Sequence, residues 1–147
     1  MATTPAAATP AATSPTSAPA PKVTGVTPYI SVRDATAAAA FYQRAFGAAV
    51  VALVPMSEGT RIIHGYLIIN NGPLFLSDPF PEHGHPLQAP QAFALHLQVD
   101  DADAWFDRAV AAGAEVIMPI SVQFWGDRYG QIKDPFGVTW SIGGPNR

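Results

Sequence analysis

One pattern is written twice in this chain, and that repeat limits the folds open to it more than any other feature. Tyr29 to Val51 reads YISVRDATAAAAFYQRAFGAAVV, and Leu95 to Ile117 reads LHLQVDDADAWFDRAVAAGAEVI. Each copy is a short alternating stretch ending in Val (Val32, Val99), then an Asp, a helical stretch, Gly-Ala-x-Val and a further strand-like run. Asp34 and Asp101 suit helix N-caps, where a carboxylate accepts from free backbone N–H groups; Gly47 and Gly113 suit the residues just past the helix ends. Phe41, Tyr42 and Phe46, and Trp105, Phe106 and Val110, recur at helical spacing and are expected to face a sheet.

Strand-like runs with turn punctuation follow each helix. In the first half they lie at about 48–56, 60–70 and 73–78, separated by Ser57-Glu58-Gly59 and Asn70-Asn71-Gly72, with Asn71-Gly72 read as the hairpin signal. In the second half they lie at about 114–120, 128–133 and 137–142. Two βαβββ modules are predicted, at about 23–80 and 91–143, joined by a Pro/His-rich loop near 79–91. Together they make one domain over 23–147, with room for a core.

Residues 1–22 are nearly all Ala, Pro, Thr and Ser, with prolines at 5, 10, 15, 19 and 21. Such a segment has nothing to bury against the entropy of ordering, so a disordered tail is expected there. It lacks the basic start and apolar run of a secretory signal. A net charge of −3 with scattered basic residues argues against nucleic acid or an anionic membrane as partner. No apolar run approaches the roughly 20 residues of a membrane span. The chain contains no cysteine, which removes thiolate catalysis, disulfides and Cys-ligated metals, and a cytoplasmic location is expected.

The segment QFWGDRYGQIKDPFG, from Gln123 to Gly137, combines aromatics, an adjacent Asp127-Arg128, three glycines and an Asp-Pro turn. That mixture suits a hairpin that lines a site rather than a plain core strand. Trp125 is read either as a cap on a pocket or as cover for a dimer seam. Arg128 is read either as an anchor for an anionic substrate or as a structural partner of Asp127 or Asp78. Trp140 alternates with Val138 and Ile142 and belongs to the core. Neither a nucleophile elbow nor a phosphate-binding glycine loop is present.

The duplicated unit resembles the vicinal oxygen chelate superfamily, which includes glyoxalase I, bleomycin-resistance proteins and extradiol dioxygenases. HGYLIINNGPLFLSD, from His64 to Asp78, and FWGDRYGQIKDPFGVTWSI, from Phe124 to Ile142, are similar to its PhnB-like branch. The resemblance implies an α+β fold whose modules form a half-open mixed β barrel around a ligand or metal site, and a homodimer. It also implies metal ligands on the first and fourth strands of each half. Those places fall on Thr27, Leu76 or Ser77, Ala94 and Ser141, none of them a His or a carboxylate. A protein-held divalent ion needs three or four such donors, so no cofactor is expected.

His96 shares a strand face with Ala94 and Gln98 and is expected inside the barrel, and His64 alternates with Ile62 and Tyr66. The expectation is a small-molecule binder, possessing no metal site of the usual kind and able to sequester a toxic compound, with Tyr29, His64, His96, Trp125, Arg128 and Tyr129 lining the site. The alternative is a metal-dependent lyase, isomerase or dioxygenase using His64 and His96, with Gln131, Asp78 or water completing the set. A third reading makes both histidines hydrogen-bonded fillers of the interior. His83 and His85, in PEHGHP beside Glu82, are read as a solvated loop.

Overall fold

The structure, a computed structural model, describes residues 22–147. The tail expected over 1–22 therefore lies, but for Lys22, outside the described residues. The first module runs β1 (Tyr29–Ser31), α1 (Ala35–Phe46), β2 (Ala49–Pro55), β3 (Ile62–Ile69) and β4 (Gly72–Ser77). The second runs β5 (Leu95–Gln98), α2 (Ala102–Ala112), β6 (Glu115–Val122), β7 (Asp127–Lys133) and β8 (Thr139–Pro145). Each forms a four-stranded mixed sheet, β1-β4-β3-β2 and β5-β8-β7-β6, with the first strand parallel to the last. The architecture is α+β, built from the two βαβββ modules that the repeat predicts, with both sheets unclosed.

The duplication extends to irregularities. A register shift falls between Val50 and Ala52 on β2, and another between Val116 and Met118 on β6. Val50 and Val116 each stand three residues after the helix-ending glycine, so the same bulge recurs at the same place. The Asp34 carboxylate accepts from Ala37 N–H at 3.0 Å, and that of Asp101 from Ala104 N–H at 3.1 Å. Gly47 and Gly113 end the helices at φ 64° and 121°.

The core lies between the helices and the sheets, and the two modules share it. Tyr42 and Phe46 of α1 pack on Trp140 of β8 at ring-centroid distances of 5.3 and 4.7 Å, and Phe41 meets Phe136 at 6.3 Å. Each such side chain contributes about 1.5–3 kcal/mol on leaving water. Arg108 of α2 donates to the carbonyls of Arg44 and Gln43 at 2.7 and 3.3 Å, tying the last turn of α1 to the second module.

Two local expectations need correction. On α2 the buried residues are Ala102, Phe106 and Ala109; Val110 is exposed and Trp105 only half-buried against Phe46. The small alanines, not Val110, let the helix lie close to its neighbours. The β3–β4 turn is Asn70-Asn71, both at positive φ (50° and 64°), while Gly72 is already paired with Ile69 in the ladder. Asn tolerates that left-handed backbone, which is what a two-residue turn between twisted strands requires.

Candidate functional site

Alternation along each strand decides which side chains leave the core. On the first sheet Ile30, Leu67, Leu74 and Leu76 turn towards the helices and are buried. The opposite, open face then carries Tyr29, His64, Tyr66 and Phe75. Their rings form one cluster: Tyr29–His64 at 5.9 Å, Tyr29–Phe75 at 5.8 Å, His64–Phe75 at 4.8 Å and Tyr66–Phe75 at 5.2 Å. The Tyr29 hydroxyl donates to the Ile63 carbonyl at 3.1 Å, which holds the ring across the strands.

The second sheet repeats the arrangement with more polar groups. His96 stacks on Tyr129 at 6.0 Å, and Trp125 meets Tyr129 edge-on at 5.7 Å. His96 Nδ1 lies 2.7 Å from Ser141 Oγ, and its Nε2 lies 2.9 Å from Gln98 Oε1. Gln98 Nε2 donates in turn to Asp127 Oδ2 at 3.3 Å. That carboxylate fixes the Gln98 amide, so Nε2–H of His96 is the donor to Oε1 and Nδ1 is left to the Ser141 hydroxyl. Gly143 makes room for the ring, since a Cβ there would stand 3.2 Å from His96 Cε1.

The six residues predicted for the site are therefore not gathered into one place. Tyr29 and His64 belong to one cluster, and His96, Trp125 and Tyr129 to the other, each on its own sheet. Arg128 stands on the opposite face of β7, where its guanidinium grips Asp103 of α2 through two 2.8 Å hydrogen bonds. Both structural partners read for it from sequence, Asp127 and Asp78, are replaced by Asp103. Side chains alternate along β7, so Asp127 is turned away from it. Asp78 is buried and occupied, accepting from Ala35 N–H at 2.9 Å and Ile62 N–H at 2.6 Å. Gln131 donates to the Tyr129 hydroxyl at 3.1 Å.

These residues do not fit a protein-held divalent ion. Both ring nitrogens of His96 are engaged, and His64 lies in the other cluster. The Thr27 hydroxyl is shielded from solvent without a hydrogen-bond partner, but a neutral hydroxyl is a weak ligand, and no imidazole or carboxylate stands at the other three places. Among the described residues, no group of three or more His, Asp or Glu is arranged to hold a metal.

A cavity of about 560 Å³ opens at one end of the first sheet's open face, lined by Tyr29, Ser31, Met56, Ile63, Ser77, Phe80, His83 and His85. Of these eight, only Tyr29 is among the residues the sequence places at the site, and His83 and His85 are read there as a solvated loop. The loop is exposed, as read, yet it is closed on itself: Phe80 and His85 exchange backbone hydrogen bonds of 2.7 and 2.9 Å around a single 3-10 turn, Pro81–His83. Arg61 pairs with Glu82 and lies 4.6 Å over the Phe80 ring. Hydrogen bonding to Arg61 brings the Glu82 carboxyl down to about 2. The Pro-rich composition that suggested a solvated loop also stiffens it, and where it docks is set by the tertiary contact of Arg61 with Phe80.

Such a pair of four-stranded sheets, each with its own helix, defines an α+β fold of duplicated βαβββ modules. By sequence, the chain belongs to the Glyoxalase/Bleomycin resistance protein/Dioxygenase superfamily, whose model matches residues 23–142. An uncharacterized protein of Mycobacterium bovis is 41% identical over 128 residues, covering 83% of this chain and 84% of that one. Protein PA1353 from Pseudomonas aeruginosa has the same fold, with a TM-score of 0.72 at 24% identity over 85% of this chain and 100% of its own. The PhnB protein from Bacillus cereus aligns with a TM-score of 0.66 at 19% identity, over 82% of this chain and 99% of its own. No helix among the described residues is long and apolar enough to cross a membrane.

Proposed function

We propose that this protein binds a small molecule against the open faces of its sheets, without a metal held by the usual ligand positions, and that it works by sequestering the compound. The observation that carries this reading is the cavity of about 560 Å³ beside the Tyr29–His64–Phe75 cluster, where Met56, Ile63, Phe80 and the Tyr29 ring supply apolar wall and serine hydroxyls and imidazoles supply polar groups. That balance suits a largely apolar ligand oriented by a small number of hydrogen bonds. The superfamily's bleomycin-resistance members make sequestration of a toxic compound the fitting role.

The two ring clusters lie on separate sheets, and each is half of the site expected from sequence. A homodimer in which the first sheet of one copy faces the second sheet of the other would complete it. Phe124, at 97% exposure, and Trp125, at 51%, form the hairpin tip available for such a contact.

The test is a thermal-shift screen of aromatic and amphipathic compounds on protein purified without a His-tag, with metal content measured on the same preparation. The expected result is negligible metal together with stabilisation by at least one compound class, lost in a Tyr29→Ala variant. Stoichiometric metal that disappears in His96→Ala would favour the metal-dependent enzyme instead. The absence of any stabilising compound would leave the clusters as structural filling.

A further inference from the structure

We infer that the cavity beneath the Phe80–His85 loop takes a planar aromatic molecule bearing an oxyanion, its ring seated on Tyr29, Ile63 and Phe80 and its oxygens held by His83 and His85. The inference rests on the binding reading above and names the ligand class for that cavity. It begins from the polarity of the walls. The polar side chains lining the cavity are Tyr29, Ser31, Ser77, His83 and His85, every one able to donate a hydrogen bond. The lining contains no carboxylate and no amide.

Two of these donors form a fixed pair. Ser31 and Ser77 are directly opposite in the parallel β1–β4 ladder, so their hydroxyls stand side by side on the floor. Among the described residues, neither hydroxyl and neither imidazole is recorded in a hydrogen bond to another protein group, whereas Tyr29 has spent its proton on Ile63 O. Four donors thus face the cavity unused by the fold.

Nearby charges do not oppose an anion. Glu82, next to His83, is the acid closest in sequence, and Arg61 neutralises it. Asp78 follows Ser77 but points inward, with one oxygen on Ala35 N–H and the other on Ile62 N–H. The same Arg61 that quenches Glu82 lies over Phe80, so the loop carrying the histidines is pinned rather than free. Apolar walls supply non-directional affinity, and donors gathered at one rim supply the preference for oxygen-rich ligands.

The experiment uses the full chain at neutral pH and a matched pair of fluorescent probes: anilinonaphthalene sulfonate and its uncharged parent, phenylnaphthylamine. The inference expects the sulfonate to bind about tenfold more tightly, the equivalent of one charge-assisted hydrogen bond. In a His83→Leu/His85→Leu double variant that preference should vanish while the uncharged probe holds its affinity. The loop is closed through backbone groups, so the variant should keep its fold; the single variants His83→Ala and His85→Ala provide the same reading if it does not. Ser31→Trp should abolish binding of both probes by filling the cavity. An unchanged sulfonate preference in the histidine variants overturns the inference and leaves the binding reading standing. Failure of both probes to bind, or binding untouched by Ser31→Trp, overturns both.

Discussion

The Tyr42 hydroxyl donates a 2.6 Å hydrogen bond to Oδ2 of Asp134, a buried contact between residues 92 positions apart. The same oxygen accepts from Trp140 Nε1 at 2.8 Å, while Oδ1 accepts from the N–H groups of Phe136 and Val138 at 2.9 and 3.0 Å. One carboxylate thereby shapes the Asp-Pro-Phe-Gly turn, orients the core tryptophan and fastens α1 of the first module to the second. A buried charge is tolerated only when its lone pairs are met in this way.

Tyr42→Phe should lower the unfolding free energy by about 1.5–3 kcal/mol, the range for a hydrogen bond to a charged group. Urea melts with an unchanged slope would check it. Burial, with the neighbouring Asp134 carboxylate adding to it, holds the Tyr42 hydroxyl well above its usual range. Its ionisation is therefore favoured in the unfolded chain. The stabilisation is complete below about pH 10, the ordinary tyrosine value, and is lost as pH rises beyond it. Wild-type stability should fall more steeply above that pH than the stability of Tyr42→Phe.

Gly144→Ala should be among the costliest single changes. A Cβ there would stand 2.2 Å from the Val99 carbonyl oxygen, which the chain cannot avoid without parting β5 from β8. A loss of about 3 kcal/mol or more is expected, at the upper end for overpacking, read as a lowered urea midpoint or as insoluble expression.

Arg128→Ala should leave ligand affinity within twofold of wild type, since Arg128 faces Asp103 rather than the open face of β7. Its ion pair with Asp103 is only part-buried, so its contribution to stability is modest. The melting temperature should fall by less than it does in Tyr42→Phe. A large loss of affinity for any compound found in the screen would contradict this placement.

If the proposed homodimer forms, Phe124→Ser with Trp125→Ser should shift it towards monomer in sedimentation velocity, leaving the far-UV circular dichroism unchanged. Phe124 is 97% exposed and Trp125 51%, so the packing given up is small, chiefly the edge-on contact of Trp125 with Tyr129 at 5.7 Å. A dimer of unaltered affinity would exclude the hairpin tip from the subunit contact.

What could be read from sequence and what could not divides along the range of the interactions. Asp34 and Asp101 as caps, Gly47 and Gly113 as helix ends, the alternation that buries Trp140 and the order of all eight strands depend on neighbours a few residues apart. A periodicity of two or 3.6 encodes these directly. The face on which His96 stands is legible for the same reason.

Partner choice is not local. Arg128 had two acidic residues plausible from sequence and took a third, because the strand pleat turned it towards α2 and away from Asp127. Asp134 looked like an ordinary turn residue until the packing of α1 brought Tyr42 onto it. His83 and His85 became cavity walls once Arg61 settled on Phe80 and Glu82. The division of the expected site into two clusters is likewise a product of how the modules dock, helix against helix with each sheet's open face turned outward. The repeat alone specified two cups; packing across the chain decided what each would hold.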